Sequence, residues 1–172
     1  MRTQIVSVVV TSALLGACAT QPPAPRATAS LESRSNSTVT GRVDLTESKT
    51  GVTAHVVLNG LAPNSEHGFH VHEKGDCSAA DAASAGGHFN PTSQPHGGPG
   101  DAPHHAGDLP SVRADGAGHV DTTLTLVGLT LSAGPTSIVG HSLIVHRDKD
   151  DLVTQPSGNS GPRVACGVVT MP

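Results

Sequence analysis

Two histidines, His70 and His72, stand two residues apart in the short run Gly68-Phe69-His70-Val71-His72-Glu73. Side chains alternate between the two faces of an extended strand, so both imidazoles would project from one face and the apolar side chains from the other. Imidazole is a good ligand for copper, zinc or iron. The run therefore indicates a metal site on a strand, although two strand histidines that bind nothing have the same pattern.

Further histidines lie in a long segment without hydrophobic periodicity. Residues 74–107 contain seven glycines and four prolines. Ordering such a loop costs about 1–2 kcal/mol per residue in backbone entropy, and this one has few apolar groups to offset that cost. Something other than a core must hold it, and the candidates within it are Cys77, His88, His96, His104 and His105.

The elements that must position these residues are short strands. Val and Thr are frequent, the chain has 20 glycines and 13 prolines, and 1% of its residues are aromatic. Alternating or β-prone runs predict strands at about residues 27–32, 38–46, 52–58, 67–73, 112–114, 119–126, 142–147 and 164–170. The fifth and sixth of these are predicted to form a hairpin. Eight short strands with two long functional loops, 74–107 and 148–162, predict an all-β sandwich or barrel.

The first 17 residues are predicted to be a lipoprotein signal peptide. An apolar run, residues 5–15, follows the single charge of Arg2 and is too short to span a membrane. Leu15-Gly16-Ala17-Cys18 is similar to a bacterial lipoprotein cleavage site, which implies that Cys18 becomes the lipidated first residue. Ordinary signal-peptidase cleavage nearby is the alternative. Residues 18–36 are predicted to be a flexible, lipid-anchored tether, within which a weak first strand could start at about residue 27.

Export to the bacterial cell envelope leaves Cys77 and Cys166 in an oxidising compartment, where a disulfide is the default expectation. Ala19 rather than Asp follows Cys18, which favours the outer membrane if the envelope is Gram-negative. Removing residues 1–17 takes away Arg2, so the formal net charge changes from −4 to −5. The chain has no basic patch, and nucleic acid is therefore not an expected partner.

Several separated motifs follow the His70 strand in a fixed order. They are His88-Phe89-Asn90-Pro91, His96-Gly97-Gly98-Pro99, His105-Ala106-Gly107-Asp108-Leu109, His146, and Gly161-Pro162-Arg163-Val164-Ala165-Cys166-Gly167. With this set the chain, from about Thr38 to its C-terminus, resembles the copper/zinc superoxide dismutases. The resemblance implies an eight-stranded Greek-key barrel or sandwich over residues 37–172.

The resemblance also implies one copper and one zinc ion per chain. The copper ligands would all be histidines: His70, His72, His88 and His146. The zinc ligands would be three histidines and a carboxylate: His88, His96, His105 and Asp108. His88 would be an imidazolate shared by both ions. The chemistry agrees, because four imidazoles suit Cu²⁺, and three imidazoles with a carboxylate suit tetrahedral Zn²⁺.

Three further roles are implied by the resemblance. Asp150 would link the free ring nitrogens of one copper ligand and one zinc ligand, although it could also be a solvated member of the acidic run around it. Arg163 would attract and position superoxide beside copper, with an exposed arginine of no function as the alternative. A Cys77–Cys166 disulfide would tie the long loop to the strand that carries Arg163. The remaining histidines are not expected to bind metal: His55, His67, His104, His119 and His141.

The implied activity is disproportionation of superoxide to dioxygen and hydrogen peroxide. Copper would alternate between two oxidation states, His88 would exchange a proton, and zinc would anchor His88, so His88 and Arg163 are the expected catalytic residues. Pro156 and His141 replace cationic residues found in relatives, which implies altered long-range steering of the anion. The alternatives are a non-enzymatic copper or zinc buffer, a copper-delivery protein and a metal-free adhesive domain. Monomer and homodimer both stay open.

Overall fold

The computed structural model describes residues 23–172. The predicted signal peptide and the lipidation site Cys18 lie outside the described residues. Within residues 23–172 the model contains no helix long and apolar enough to cross a membrane.

Short strands make up most of the regular structure. They are β1 (Arg26–Ser33), β2 (Thr40–Ser48), β3 (Gly51–Asn59), β4 (Glu66–His67), β5 (Phe69–His72), β6 (Val112–Arg113), β7 (Val120–Val127), β8 (Ser142–His146) and β9 (Arg163–Val168). The only helical element between residues 23 and 172 is a single 3₁₀ turn, Ala83–Ala85. Gly68 alone separates β4 from β5, so these two segments are halves of one strand. Counted in this way the structure has eight strands, and the predicted all-β fold is confirmed.

The strands form one large sheet and one small one. Seven antiparallel strands follow the order β5-β8-β9-β1-β2-β3-β7, and β4 pairs with β6 in a separate two-stranded sheet. Because β4 leads into β5 and β6 leads into β7, the small sheet connects the two edge strands of the large one. The large sheet therefore curls around the main hydrophobic core.

Side chains alternate between the two faces of each strand, so every second residue points into the core. In β3, for example, the four alternate residues Val52, Ala54, Val56 and Leu58 are fully buried. In β5, Phe69 and Val71 are also fully buried and belong to the core, whereas His70 and His72 occupy the opposite face. Burying each large apolar side chain contributes roughly 1.5–3 kcal/mol, so β5 is anchored by one face while it presents histidines on the other.

The domain begins inside the segment 18–36, at the weak first strand that the sequence predicts from about residue 27. Ala27, Ala29 and Leu31 of β1 are buried, and the strand pairs with both β2 and β9. Two of these three residues are alanines, which give a weak hydrophobic signal in the sequence. The weak first strand predicted from about residue 27 therefore forms, as β1.

The predicted hairpin over residues 112–126 is only partly correct. Its turn forms, because Asp115 donates its N–H to the carbonyl of His119 at 2.9 Å and its carboxylate accepts the amide of Ala117 at 2.8 Å. The flanking strands do not pair with each other, since β6 pairs with β4 and β7 pairs with β3. Each strand has another partner, because β6 belongs to the small sheet and β7 to the edge of the large one.

A disulfide holds the start of the loop formed by residues 74–107. Cys77 is bonded to Cys166 of β9, 89 residues away in the sequence. For a closed loop of this length the chain-entropy model gives a stabilisation of about 4–5 kcal/mol. Arg34 adds a hydrogen bond of 2.8 Å from its Nε to the carbonyl of Cys77. The loop is thus attached to the strand that begins with Arg163.

Candidate metal centre

Two extended segments from the region between β5 and β6 pack beside β5. Val71 donates its N–H to the carbonyl of Gly107 at 3.0 Å and accepts the N–H of Phe89 at 2.8 Å. A Cβ atom on Gly107 would lie 2.3 Å from the carbonyl oxygen of Val71, so this close approach requires glycine. The contact brings His88 opposite His72 and Asp108 opposite His70.

Four buried histidines form the first group of potential metal ligands. Their ligand atoms lie within 4.8 Å of one another, and all four residues are buried: His70, His72, His88 and His146. One nitrogen of each ring has no hydrogen-bond partner among the described residues: Nδ1 of His70 and Nε2 of His72, His88 and His146. Buried polar atoms are rarely left unpaired, so four at one place fit an ion.

The opposite nitrogen is hydrogen-bonded in two of these rings to a backbone carbonyl. His72 donates from Nδ1 to the carbonyl of Gly86 at 2.9 Å, and His146 donates from Nδ1 to that of Gly161 at 3.1 Å. A carbonyl accepts only, so the proton is on Nδ1 and the lone pair is on Nε2. The backbone therefore orients both rings as ligands.

Burial keeps three of these rings, those of His70, His72 and His146, neutral at neutral pH. It lowers the pKa of His70 to about 4, although the hydrogen bond to Asp150 raises it in part. Burial likewise lowers the pKa of His146 to about 3 and holds the pKa of His72 well below its usual range. Neutral imidazole is the form that binds metal.

The second group is centred on a carboxylate. Asp108 Oδ1 lies 2.8 Å from Nδ1 of His88, 3.0 Å from Nδ1 of His96 and 3.2 Å from Nδ1 of His105. Its Oδ2 accepts the backbone N–H groups of Gly97 and His105. Burial alone would raise the pKa of Asp108, but the hydrogen bonds from His88, Gly97 and His105 outweigh it and lower the pKa. The group thus offers three imidazoles and one carboxylate.

Asp150 connects the two groups, as the family resemblance implies. Its Oδ2 lies 2.7 Å from Nε2 of His70, and its Oδ1 lies 3.0 Å from Nε2 of His96. Burial raises the pKa of this carboxyl, but the hydrogen bonds from His70 and from the amide of Leu152 outweigh it and lower the pKa. His88 makes the second connection, since its Nε2 belongs to the first group and its Nδ1 to the second.

Arg163 lies at the rim of an open cleft of about 520 Å³ that His72, His88 and His146 also line. Its Nη1 donates to the carbonyl of Ala82 at 2.7 Å, and its Nη2 donates to that of Gly86 at 2.6 Å. Burial lowers the pKa of the guanidinium, which nevertheless stays charged. The carbonyl of Gly86 also accepts from His72, so one backbone group aligns Arg163 with a ligand ring.

The other histidines lie outside both ligand groups. His67 is buried and donates from Nδ1 to the carbonyl of His146 at 2.9 Å, which connects β4 to the end of β8. His104 donates to the carbonyl of His105, and His55 pairs with Asp121 on the outer surface.

The two remaining histidines occupy the turn before β7 and the residue before β8. His119 closes that turn by its backbone. His141 donates from Nδ1 to the carbonyl of His72 at 3.2 Å, and its ring centroid lies 4.3 Å from that of Phe89.

Sequence reasoning missed the groups that orient the ligands from the backbone. The carbonyls of Gly86 and Gly161 have no residue-type signal, because any residue carries a carbonyl. Gly158 is also missed, although its position is demanding: its φ is +64°, and a Cβ atom there would lie 1.8 Å from Asp150 Oδ1 and 2.7 Å from His96 Nε2.

Comparisons with known proteins agree with this geometry. The family model described as copper/zinc superoxide dismutase (SODC) matches residues 39–169. Superoxide dismutase (Cu-Zn) 2 of Aquifex aeolicus is 38% identical over 135 residues, which cover 76% of this chain and 79% of that protein. A superoxide dismutase-like protein of Bacillus subtilis is 39% identical over 134 residues, 75% of this chain and 68% of that protein.

A solved structure shares the fold as well. The crystal structure of a SOD-like protein from Bacillus subtilis superposes with a TM-score of 0.74 at 36% sequence identity. The match covers 82% of this chain and 96% of that chain.

Replacing Gly158 should break the link that Asp150 makes between the two groups of potential metal ligands. In Gly158→Ala the new Cβ would displace Asp150 from His96, and we expect metal affinity to fall by about 10- to 100-fold. Competition with a chelator, followed separately for copper and zinc, measures the change. Gly100→Ala is the matched control, since a Cβ there meets no atom within 4 Å. Equal affinities in the two variants would contradict the prediction.

Proposed function

Because this chain belongs to the copper/zinc superoxide dismutase family, we propose that it is an enzyme that disproportionates superoxide. Two superoxide anions and two protons would give one dioxygen and one hydrogen peroxide. One observation carries the proposal: four buried, unpaired imidazole nitrogens converge beside a second group of three imidazoles and a carboxylate, and one ring is common to both.

The two donor sets fit one copper and one zinc ion per chain. Four imidazole nitrogens suit copper, so His70, His72, His88 and His146 would hold it. Three imidazoles and a carboxylate are a usual tetrahedral set for zinc, so His88, His96, His105 and Asp108 would hold that ion. His88 would serve copper through Nε2 and zinc through Nδ1, which requires that neither nitrogen of the ring carry a proton.

The chain's own residues would take up and release protons, while the bound copper would accept and donate electrons. Copper, when bound, would supply one-electron chemistry, because it can accept an electron from one superoxide and return it to a second. His88 Nε2 is the atom at which the chain would take up a proton in one half-reaction and give it up in the other. Asp150 would keep the rings of His70 and His96 in place throughout.

Arg163 would supply the local attraction for an anionic substrate. The formal net charge of the chain is −4, so the overall charge repels superoxide. Two guanidinium N–H groups are used by the carbonyls of Ala82 and Gly86, which fixes the side chain beside the cleft. The charge and the remaining N–H groups would hold superoxide next to His72 and His146.

A non-enzymatic copper- and zinc-binding protein is the second candidate function. One relative is named superoxide dismutase-like rather than superoxide dismutase, so membership of the family does not decide between the two. The complete pair of ligand groups, with Arg163 at the cleft that gives access to them, favours the enzyme.

We also propose that the protein is exported and anchored to the bacterial envelope through a lipid on Cys18. The proposal is supported by the apolar segment that precedes Leu15-Gly16-Ala17-Cys18. The Cys77–Cys166 disulfide fits an oxidising compartment. If the envelope is Gram-negative, Ala19 favours the outer membrane.

The central test is removal of one copper ligand that is not a zinc ligand. His146→Ala should reduce superoxide turnover to the uncatalysed background and lower the copper content, while zinc stays near one per chain. A dismutase assay combined with metal analysis measures both. His55→Ala, on the outer surface, should retain activity. Wild-type protein that holds stoichiometric copper but removes no superoxide would support the non-enzymatic alternative.

Arg163 can be tested through the ionic-strength dependence of the rate. In Arg163→Ala we expect kcat/KM to fall by about 10-fold or more and to depend less on salt, because a local charge that attracts the substrate is lost. Arg163→Lys should be intermediate, since it keeps the charge but not the planar donor fork. Metal analysis verifies that both ions are retained. An unchanged rate with an unchanged salt dependence would exclude the proposed role.

The lipid anchor can be tested in cells that make the full chain. Wild-type protein should incorporate a labelled fatty acid and sediment with membranes, whereas Cys18→Ser should do neither. Absence of label from the wild-type protein would show that ordinary signal-peptidase cleavage operates instead.

A further inference from the structure

A side chain from the loop formed by residues 148–162 holds the backbone of His96. Gln155 Oε1 accepts the N–H of His96 at 2.8 Å, and Gln155 Nε2 donates to the carbonyl of the same residue at 2.8 Å. One backbone partner donates and the other accepts, so the orientation of the amide is determined. Among residues 23–172, the backbone N–H and carbonyl of His96 make no hydrogen bond to the backbone of any other residue.

This pair matters because His96 is buried in a stretch without regular structure. The residue is 4% exposed, and its neighbours Pro95 and Gly97 belong to neither a strand nor a helix. A buried N–H or carbonyl without a partner is destabilising. The side-chain amide of Gln155 therefore takes the place of the backbone hydrogen bonds that a strand or helix would give His96.

The ring of His96 is fixed independently of its backbone. Its Nδ1 lies 3.0 Å from Asp108 Oδ1, and its Nε2 lies 3.0 Å from Asp150 Oδ1. Asp150 and Gln155 belong to the same loop. That loop therefore holds both the ring and the backbone of one candidate zinc ligand.

Gln155 lies in a turn, residues 151–158, that is stabilised by hydrogen bonds among the turn residues. Asp151 accepts the N–H groups of Val153 at 3.0 Å and Thr154 at 2.8 Å, and Thr154 accepts the N–H of Gly158 at 2.7 Å. Gln155 is exposed and takes no part in the hydrophobic core. Replacing it removes the two hydrogen bonds to His96 and leaves the core packing intact.

We propose that Gln155 is a positioning residue for zinc binding, which holds His96 so that Nδ1 faces the second ligand group. The inference rests on the proposed function only in taking that group as the zinc site. Gln155 touches neither metal nor substrate and acts through His96 alone.

The test compares two glutamines in the mature, metal-loaded protein. Gln155→Met keeps the length of the side chain and removes both hydrogen bonds. Gln94→Met is the matched control, because the Gln94 side chain donates to the carbonyl of Thr92 on the surface and makes no hydrogen bond to His96. We expect zinc affinity, measured by competition with a chelator, to fall by about 10- to 100-fold in Gln155→Met and to be unchanged in the control. Copper affinity should change less than zinc affinity.

Thermal unfolding with and without zinc separates positioning from general stabilisation. A merely structural glutamine would lower Tm equally in both states and leave the zinc-induced rise intact. A positioning residue reduces that rise. Co²⁺ in place of zinc should also show altered visible absorption in Gln155→Met.

Equal zinc affinities and equal zinc-induced rises in Tm for Gln155→Met and Gln94→Met would overturn the inference. Wild-type protein that binds zinc but lacks dismutase activity would contradict the proposed function and leave this inference standing. Wild-type protein that binds no zinc would overturn both.

Discussion

One imidazole ring has to satisfy two groups of ligands at once. His88 contributes Nε2 to a set of four histidines and Nδ1 to a set centred on Asp108, so its position is constrained from both sides. The strands and loops around His88 hold the two groups of ligands in the positions that this requires. Strand β5 is anchored in the core by Phe69 and Val71 and supplies two rings, while the segment with His88 lies against β5 through backbone hydrogen bonds.

Metal and fold are linked in this arrangement. Residues 74–107 contribute little to the hydrophobic core, and the four unpaired imidazole nitrogens are buried without compensation from the described residues. Bound ions would provide that compensation, so part of the free energy of binding would appear as stability of the two long loops. The neutral state of the buried rings of His70, His72 and His146 suits this role, because at these three residues no proton has to be displaced from the nitrogen that faces the ion.

The ligand residues could be predicted because their types and order are informative. His70, His88 and Asp108 are chemically specific, and the same residues come together in the structure. The groups that orient them were less predictable. The carbonyl of Gly86 carries no residue-type signal, and the demand for glycine at Gly158 arises only from the approach of two distant loops. The one wrong pairing has a related cause, since the pairing of β6 with β4 instead of β7 depends on parts of the chain that are distant in the sequence.

The bond between Cys77 and Cys166 closes a covalent ring of the chain. Every candidate ligand except His70 and His72 lies on that ring, and these two precede it by only a few residues. An oxidised chain that has lost its native structure would consequently still keep its metal-binding groups within a contracted coil. Capture of the ions would then begin from a smaller conformational search than in the reduced chain.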